Sequence, residues 1–221
     1  TFGILSAAQV QRLHQAGCQV WGTATTVAEA LAWQAVGADA VVASGCEAGG
    51  HRGTFLADYA ASMVSTLPLV RDCVLQLQIP VIAAGGIMDG AGIAAALQLG
   101  ASAVQMGTAF ILCPESAASP AYRAELQSDQ AQHTAITAAI SGRPARGMFN
   151  RLHQLGRDYA GPLPAYPMVY DAGKALHQAA STQGSSDYAA HWAGQGAPLA
   201  RAMPAQQLVQ TLIQELHQHQ K

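Results

Sequence analysis

The sequence predicts an α/β fold built on a parallel sheet, and three observations predict it. One phrase recurs along the first half of the chain: an Ala-rich helical stretch, a glycine, then a short apolar strand ending in small residues. It reads Ala16-Gly17-Cys18-Gln19-Val20-Trp21, then Val36-Gly37-Ala38-Asp39-Ala40-Val41-Val42, then Leu99-Gly100-Ala101-Ser102-Ala103-Val104. The strands of this phrase are apolar in the manner of strands covered on both faces. Composition agrees, since 50% of the 221 residues are hydrophobic and 11% charged, which suits a large core and argues against disorder. Regular alternation of strand and helix with short loops describes either a doubly wound sheet or a (β/α)8 barrel.

In chain order, strands are expected near 18–24, 40–44, 80–84 and 102–106, with a further one at 2–5. Helices are expected near 26–36, 56–77 and 89–99. The glycine closing each helical stretch sits where a helix C-cap needs positive φ. Beyond residue 112 the pattern turns helical and loop-rich: 121–140, then 141–151, then the Pro-rich run 161–167. Gln183 to Ser186 reads as a polar spacer within this part. Pro204 to Lys221 reads as an amphipathic helix with Leu208, Leu212, Ile213 and Leu216 on one face. The chain therefore divides into a β/α part over 1–112 and a helical, loop-rich cap over 113–221. Five strands cannot close a barrel, so a barrel leaves about three strands upstream of Thr1.

Several function classes are excluded by the same residues. With 11 basic and 13 acidic side chains, a net charge of -2 and no Lys/Arg run, nothing offers a polyanion the positive stripe it needs. The apolar stretch from Ile79 to Leu112 is interrupted by Gly85, Gly86, Asp89, Gly90, Gly92, Gly100 and Gly107, which argues against a membrane span. The opening residues carry no signal-peptide pattern, so a cytoplasmic protein is expected. Cys18, Cys46, Cys73 and Cys113 form no CxxC pair and are expected as reduced thiols in or near the core. The eight histidines form no HxxxH or HExxH set, so no metal site is expected.

Three loops carry candidate chemistry. Ser44-Gly45-Cys46-Glu47-Ala48-Gly49-Gly50-His51-Arg52-Gly53 follows a buried strand, at the sheet edge where α/β proteins place their chemistry. Gly49 and Gly50 let the backbone approach a ligand closely, and His51 is the group there able to take a proton near neutral pH. Ala83-Ala84-Gly85-Gly86-Ile87 and Gln105-Met106-Gly107-Thr108 end the next two strands. Glycines there, with helix N-termini beyond, suit a phosphate, although glycines serve simple turns as well. The segment around Gly85-Gly86 and Gly90-Ala91-Gly92 lacks the G-x-G-x-x-G spacing and the following acidic residue of a dinucleotide site. Arg143, Arg146 and Arg151 crowd one short segment, either to hold an anion or to pin a loop to backbone carbonyls. Trp192-Ala193-Gly194-Gln195-Gly196 adds an aromatic-glycine motif that can pack over a cleft.

Taken together, residues 42–53, Pro80 to Ile87, 105–110, Gly142 to Arg151 and Trp192 to Gly196 resemble the nitronate monooxygenase family over nearly all of residues 2–216. The resemblance implies an FMN-dependent TIM (β/α)8 barrel that oxidises alkyl nitronates, propionate 3-nitronate in particular, with O2 to a carbonyl compound and nitrite. It implies that His51 is the active-site base and that Gly49 and Gly50 form the flavin-side loop. Gly85 and Gly86 match the phosphate turn, and Gln105, Met106, Gly107 and Thr108 the second phosphate loop. Ser44 stands against the flavin where members usually carry Gln or Asp, and Thr23 where some carry Lys. Thr1-Phe2-Gly3 then matches the end of strand four, which makes 1–112 an N-terminally incomplete FMN-binding barrel of about strands four to eight. The implied partners are a small nitronate and O2, with a homo-oligomer compatible. Two other readings share these features: an FMN-dependent enoyl-acyl-carrier-protein reductase, and a truncated, non-catalytic fragment.

Overall fold

The computed structural model describes residues 2–219. Its strands are β1 (Trp21–Ala24), β2 (Ala40–Ser44), β3 (Gly50–His51), β4 (Val81–Ala84), β5 (Ala103–Gln105), β6 (Thr134–Thr137) and β7 (Ala145–Met148). Its α-helices are α1 (Ala7–Gln15), α2 (Val27–Ala35), α3 (Thr66–Gln76), α4 (Gly90–Gln98), α5 (Pro120–Leu126), α6 (Arg151–Asp158), α7 (Met168–Ser181) and α8 (Ala205–His219). The chain forms two compact units: residues up to 48, 53–106 and 206 onward make the first, and 49–52 with 107–205 the second. The terminal helix groups with the first unit.

The first unit is a parallel sheet of order β1-β2-β4-β5. Alternate residues of its strands sort into two separate clusters. Val41, Ala43, Val81 and Ala83 join Ala30 and Trp33 of α2 and Leu69, Val70 and Cys73 of α3 in the main core. Ala40, Val42, Ile82 and Ala84 form a cluster of their own on the other face. Both faces are apolar, which is why these strands read as continuous apolar runs. The repeated glycines do what the phrase requires: Gly17, Gly37 and Gly100 close α1, α2 and α4 at φ of 76°, 91° and 99°.

Gly90 has a different role from that of a phosphate-binding glycine. A Cβ there would lie 2.3 Å from both Glu215 Cβ and Leu216 N, so its bareness admits α8 against the start of α4. Its N–H donates to Glu215 Oε2 at 2.9 Å, while Asp89 caps α4 by accepting from Gly92 N at 2.8 Å. On α8 itself Leu208 and Leu212 are buried, but Ile213 is 48% exposed, so the inward stripe is narrower than expected.

Three expectations are corrected. Residues 2–5 form no strand, and Ser6 instead opens α1 with a capping box to Gln9. The helix expected over 56–77 spans only Thr66–Gln76, because the chain before it is held elsewhere. Glu29 of α2 takes Thr54 Oγ1, Phe55 N and Leu56 N on one carboxylate oxygen and Thr25 N and Oγ1 on the other. Asp58 then accepts from Ala61 N, a local turn that competes with helix. Finally, Cys18 is exposed, whereas Cys73 and Cys113 are buried and Cys46 is partly so. The parts of these expectations that fall on Thr1, Gln220 and Lys221 lie outside the described residues.

The second unit contains an antiparallel sheet of order β3-β7-β6, absent from the expected helical cap. Ala145-Arg146-Gly147-Met148 lacks β-branched residues, so its strand character comes from being paired on both sides rather than from propensity. Leu112, Leu126, Ala131, Met148, Ala193 and Ala197 form the core of this unit. Among the described residues no helix is long and apolar enough to cross a membrane, and no three His, Cys, Asp or Glu side chains gather as a metal-ligand set.

Glu29 is fully buried, and burial alone would raise its pKa. The hydrogen bonds from Phe55, Thr25 and Leu56 outweigh that and hold it below the ordinary carboxylate range. A depressed folded-state pKa stabilises above the unfolded value and is lost as pH falls through the folded one. Glu29→Gln is therefore expected to cost about 3 kcal/mol at pH 7, with the gap to wild type closing below about pH 4. Urea unfolding curves at both pH values check this.

Candidate active site

Ser44, Ala84 and Gln105 stand in register at the carboxyl ends of β2, β4 and β5. Beyond Ser44, Gly45 N donates to Ala84 O at 2.9 Å and Cys46 N to Val64 O at 2.8 Å. Glu47 then turns onto the N-terminus of α3. Its carboxylate accepts Thr66 N at 2.9 and 3.1 Å, and Thr66 Oγ1 lies 2.8 Å from Glu47 Oε2 and 3.0 Å from Gly85 O, sharing one proton. Ser65, the N-cap residue, makes no side-chain cap bond, so Glu47 supplies the cap from a distant loop. A carboxylate is favoured there by the positive end of the helix dipole.

That clamp sets the turn after β4. Gly85 and Gly86 have φ of 115° and 74°, which L side chains rarely adopt, and a Cβ on Gly85 would come 2.9 Å from Thr66 Oγ1 and 3.0 Å from Ala48 N. The turn after β5 is open by contrast, with nothing within 4 Å of where a Gly107 Cβ would stand. Consecutive left-handed glycines at a strand's carboxyl end leave a turn lined by backbone rather than side chains. An anionic group fits that turn on this ground.

In the second unit, β3 carries His51 into register with Ala145 of β7. His51 Nε2 is 2.8 Å from Ser141 Oγ, which in turn is 3.1 Å from Arg143 O and 3.4 Å from Arg143 N. Ser141 is fully buried and has one proton. The arrangement that satisfies all three contacts has Ser141 donating to Arg143 O while accepting from Arg143 N and from His51 Nε2–H. The basic lone pair of the ring is then on Nδ1.

Three aromatic rings surround this imidazole. Tyr166 and Tyr170 make T-shaped contacts with it at centroid distances of 5.5 and 6.0 Å, and Trp192 packs at 5.3 Å with a 57° tilt. Trp192 is held by a bridge to Gly147, and Tyr122 donates its hydroxyl proton to the Trp192 carbonyl. Burial lowers the His51 pKa, and the Arg143 charge lowers it further. His51 is therefore a neutral base near pH 7.

The sequence-predicted residues fall into two groups. Ser44, Gly85, Gly86, Gln105 and Met106 belong to the first unit, and Gly49, Gly50, His51, Gly107 and Thr108 to the second. Gly49 is required by a close approach, since a Cβ there would stand 2.6 Å from Gly194 N. Thr108 Oγ1 accepts from that same Gly194 N–H at 3.0 Å, a structural bond that phosphate reasoning did not foresee. The arginines also separate: Arg146 is buried and donates to Thr134 Oγ1, while Arg143 acts on His51. Sequence reasoning missed Glu47, Thr66, Ser141, Tyr166 and Tyr170. Tyr170 had a legible signal, because Tyr170, Lys174 and His177 recur at i, i+4 and i+7, one face of a helix.

Gly142 brings the Tyr166 segment in. Its φ is 80°, and a Cβ would lie 2.4 Å from Pro164 O and 2.9 Å from Tyr166 N. Gly142→Ala is expected to cost roughly 2 kcal/mol or more and to displace Tyr166. Chemical denaturation and the His51 ring shifts in NMR spectra check both effects.

The nitronate monooxygenase family description matches residues 1–215. A nitronate monooxygenase of Pseudomonas aeruginosa is 54% identical over 216 residues, which cover 97% of this chain and 62% of that protein. One from Paraburkholderia phytofirmans is 51% identical, over 98% of this chain and 60% of its own length. The chain thus spans about three fifths of the curated relatives it matches. Among solved structures, nitroalkane oxidase from Streptomyces ansochromogenes superposes with a TM-score of 0.93 at 41% identity, covering 99% of this chain and 63% of that one. FabK from Thermotoga maritima gives 0.79 at 31%, covering 96% and 65%. A match running from the first residues into α8, across both glycine turns and the His51 strand, means that this chain belongs to the nitronate monooxygenase family.

Proposed function

We propose that this protein carries out FMN-dependent oxidation of alkyl nitronates, of the propionate 3-nitronate type, by O2 to a carbonyl compound and nitrite. The observation that carries the reading is His51: a half-buried imidazole, walled by three aromatic rings and held neutral by burial and Arg143. Membership of the family supports the choice of substrate. In the same reading the parallel sheet is an arc of a (β/α)8 barrel, and the protein is cytoplasmic.

The residues that would hold FMN are Ser44, Gly49, Gly50, Gly85, Gly86, Gln105, Met106, Gly107 and Thr108, with the Gly85-Gly86 and Gln105–Thr108 turns taking the phosphate. FMN, when bound, supplies the two-electron chemistry between nitronate and O2. The remaining work falls to this chain. A nitronate is already the deprotonated, electron-rich form of its nitroalkane, so no base is needed for it. A neutral nitroalkane must first lose its α-proton, and Nδ1 of His51 is the group to take it. Tyr166, Tyr170 and Trp192 keep bulk water from the imidazole and so preserve its neutral form.

The FMN-reconstituted protein should show a flavin absorbance band, nitrite release and O2 uptake with propionate 3-nitronate. NADH oxidation that depends on an enoyl thioester would favour the reductase reading instead, and absence of the flavin band the non-catalytic one. His51→Asn is expected to lose on the order of 100-fold on neutral nitroalkanes and less than about tenfold on the matching nitronates. Equal losses would remove the base role. Because the His51 pKa is lowered, kcat/KM on nitroalkanes should hold as pH falls and drop only below the ordinary histidine value of about 6.5.

A further inference from the structure

Two side chains of α5 close on one dipeptide of the second unit. Tyr122 and Glu125 are three residues apart and so share a face of that helix. Glu125 Oε2 accepts from His191 Nδ1–H at 2.5 Å, with the two side chains only 14% and 5% exposed. The Tyr122 ring lies flat on the same imidazole, centroids 4.5 Å apart and planes 3° off parallel. Its hydroxyl reaches one residue further and donates to the Trp192 carbonyl. From the other side His191 O accepts from Met148 N of β7 at 2.9 Å, and Gly147 bridges to Trp192. The proposed oxidation gives no role to Glu125 or His191.

A carboxylate and an imidazole held out of water are a costly way to join two segments, since apolar groups of similar size often serve stability as well. What the pair joins is therefore informative. His191 directly precedes Trp192, and the Trp192 ring packs on His51 at 5.3 Å. Around His51 stand also Arg143, Tyr166 and Tyr170. Around His191 stand Tyr122 and Glu125 from α5, and His177 from α7 in a T-shaped contact at 6.3 Å. Burial is the first cause of the lowered His51 pKa. A Trp192 ring that swings away would admit water to the imidazole and make its charged form easier to reach. A base also acts from one geometry, so the ring against it matters to proton removal as well as to charge.

We infer that Glu125 and His191 are positioning residues for His51: their hydrogen bond grips the backbone that carries Trp192 and so holds the indole against the imidazole. The pair acts through Trp192 rather than on His51 directly. The inference rests on the reading of His51 as the base, but its first test needs no substrate.

NMR titration of the histidines in the 221-residue chain supplies that test. Glu125→Leu removes the acceptor, and Glu125→Gln keeps one for His191 Nδ1–H. Tyr122→Phe keeps the stacked ring and loses the bond to the Trp192 carbonyl. In the wild type, His51 should titrate below the ordinary histidine value of about 6.5. It should move up toward that value in Glu125→Leu, less far in Tyr122→Phe, and scarcely at all in Glu125→Gln. An unmoved titration in Glu125→Leu, or an equal move in Glu125→Gln, overturns the inference. Should Glu125→Leu not fold, Tyr122→Phe decides in its place, and an unmoved His51 there overturns it. Turnover gives the second readout. In Glu125→Leu, kcat on nitroethane should fall about tenfold with KM within about twofold, and the acid limb of the pH profile should rise with the His51 titration. An unchanged kcat beside a moved titration overturns the positioning role. A wild-type protein that turns over no nitroalkane, with the titrations as expected, overturns the proposed function and leaves the grip on Trp192 standing.

Discussion

The bond between Glu47 and the amide and hydroxyl of Thr66 is the constraint on which the functional edge of the sheet depends. Parallel pairing of β2 with β4 ends at Ser44 and Ala84, and beyond them the ladder no longer dictates where the chain goes. Glu47 takes over at that point. It fastens the loop after β2 to the start of α3, and the same Thr66 hydroxyl reaches Gly85 O in the turn after β4. A neutral side chain at position 47 would forfeit the attraction between a carboxylate and the positive end of the helix. The glycines on either side are a consequence, because a Cβ on Gly45 would stand 2.1 Å from Thr66 Oγ1.

The same device recurs and explains why so few charged residues suffice. Glu29 gathers the chain at residues 54–56, Asp39 accepts from Val20 N, Glu115 from Ala205 N and Glu215 from Gly90 N. Each joins backbone that is distant in sequence at a place where the sheet and helices leave an N–H without a ladder partner. With only 13 acidic residues in the chain, such anchors account for a large share of them. Acid is thereby a structural stress on this fold, as seen most clearly at Glu29, whose pKa is depressed by the bonds it accepts.

How much of this was legible in the sequence follows from where the determining contacts lie. β1, β2, β4 and β5 and the glycines that end α1, α2 and α4 were legible, since continuous apolar runs and C-cap glycines are local signals. The Ser44–Gly53 loop and His51 were legible because they follow such a strand. The β3-β7-β6 sheet was not. Its strands are two to four residues long, and one of them acquires its conformation from neighbours on both sides. Neither was Ser141, which meets His51 across 90 residues of chain with no motif to connect them. At Gly90 the glycine is visible in the sequence but its cause is not, for its companion is Glu215 on the terminal helix.

Two opposing demands meet at His51. A base that removes a proton from a carbon acid benefits from a high pKa, yet burial and Arg143 both lower it. The lowering keeps the ring unprotonated near pH 7, so that its lone pair is able to accept a proton. Arg143 then contributes positive charge near the imidazole. Ser141 completes the arrangement by engaging Nε2, which leaves Nδ1 as the basic nitrogen and removes the tautomeric choice a solvated histidine would retain. The environment thus favours a histidine that is neutral, weakly basic and fixed in one tautomer, which in the proposed reaction suits the removal of a proton from a neutral nitroalkane, a step that a nitronate does not need.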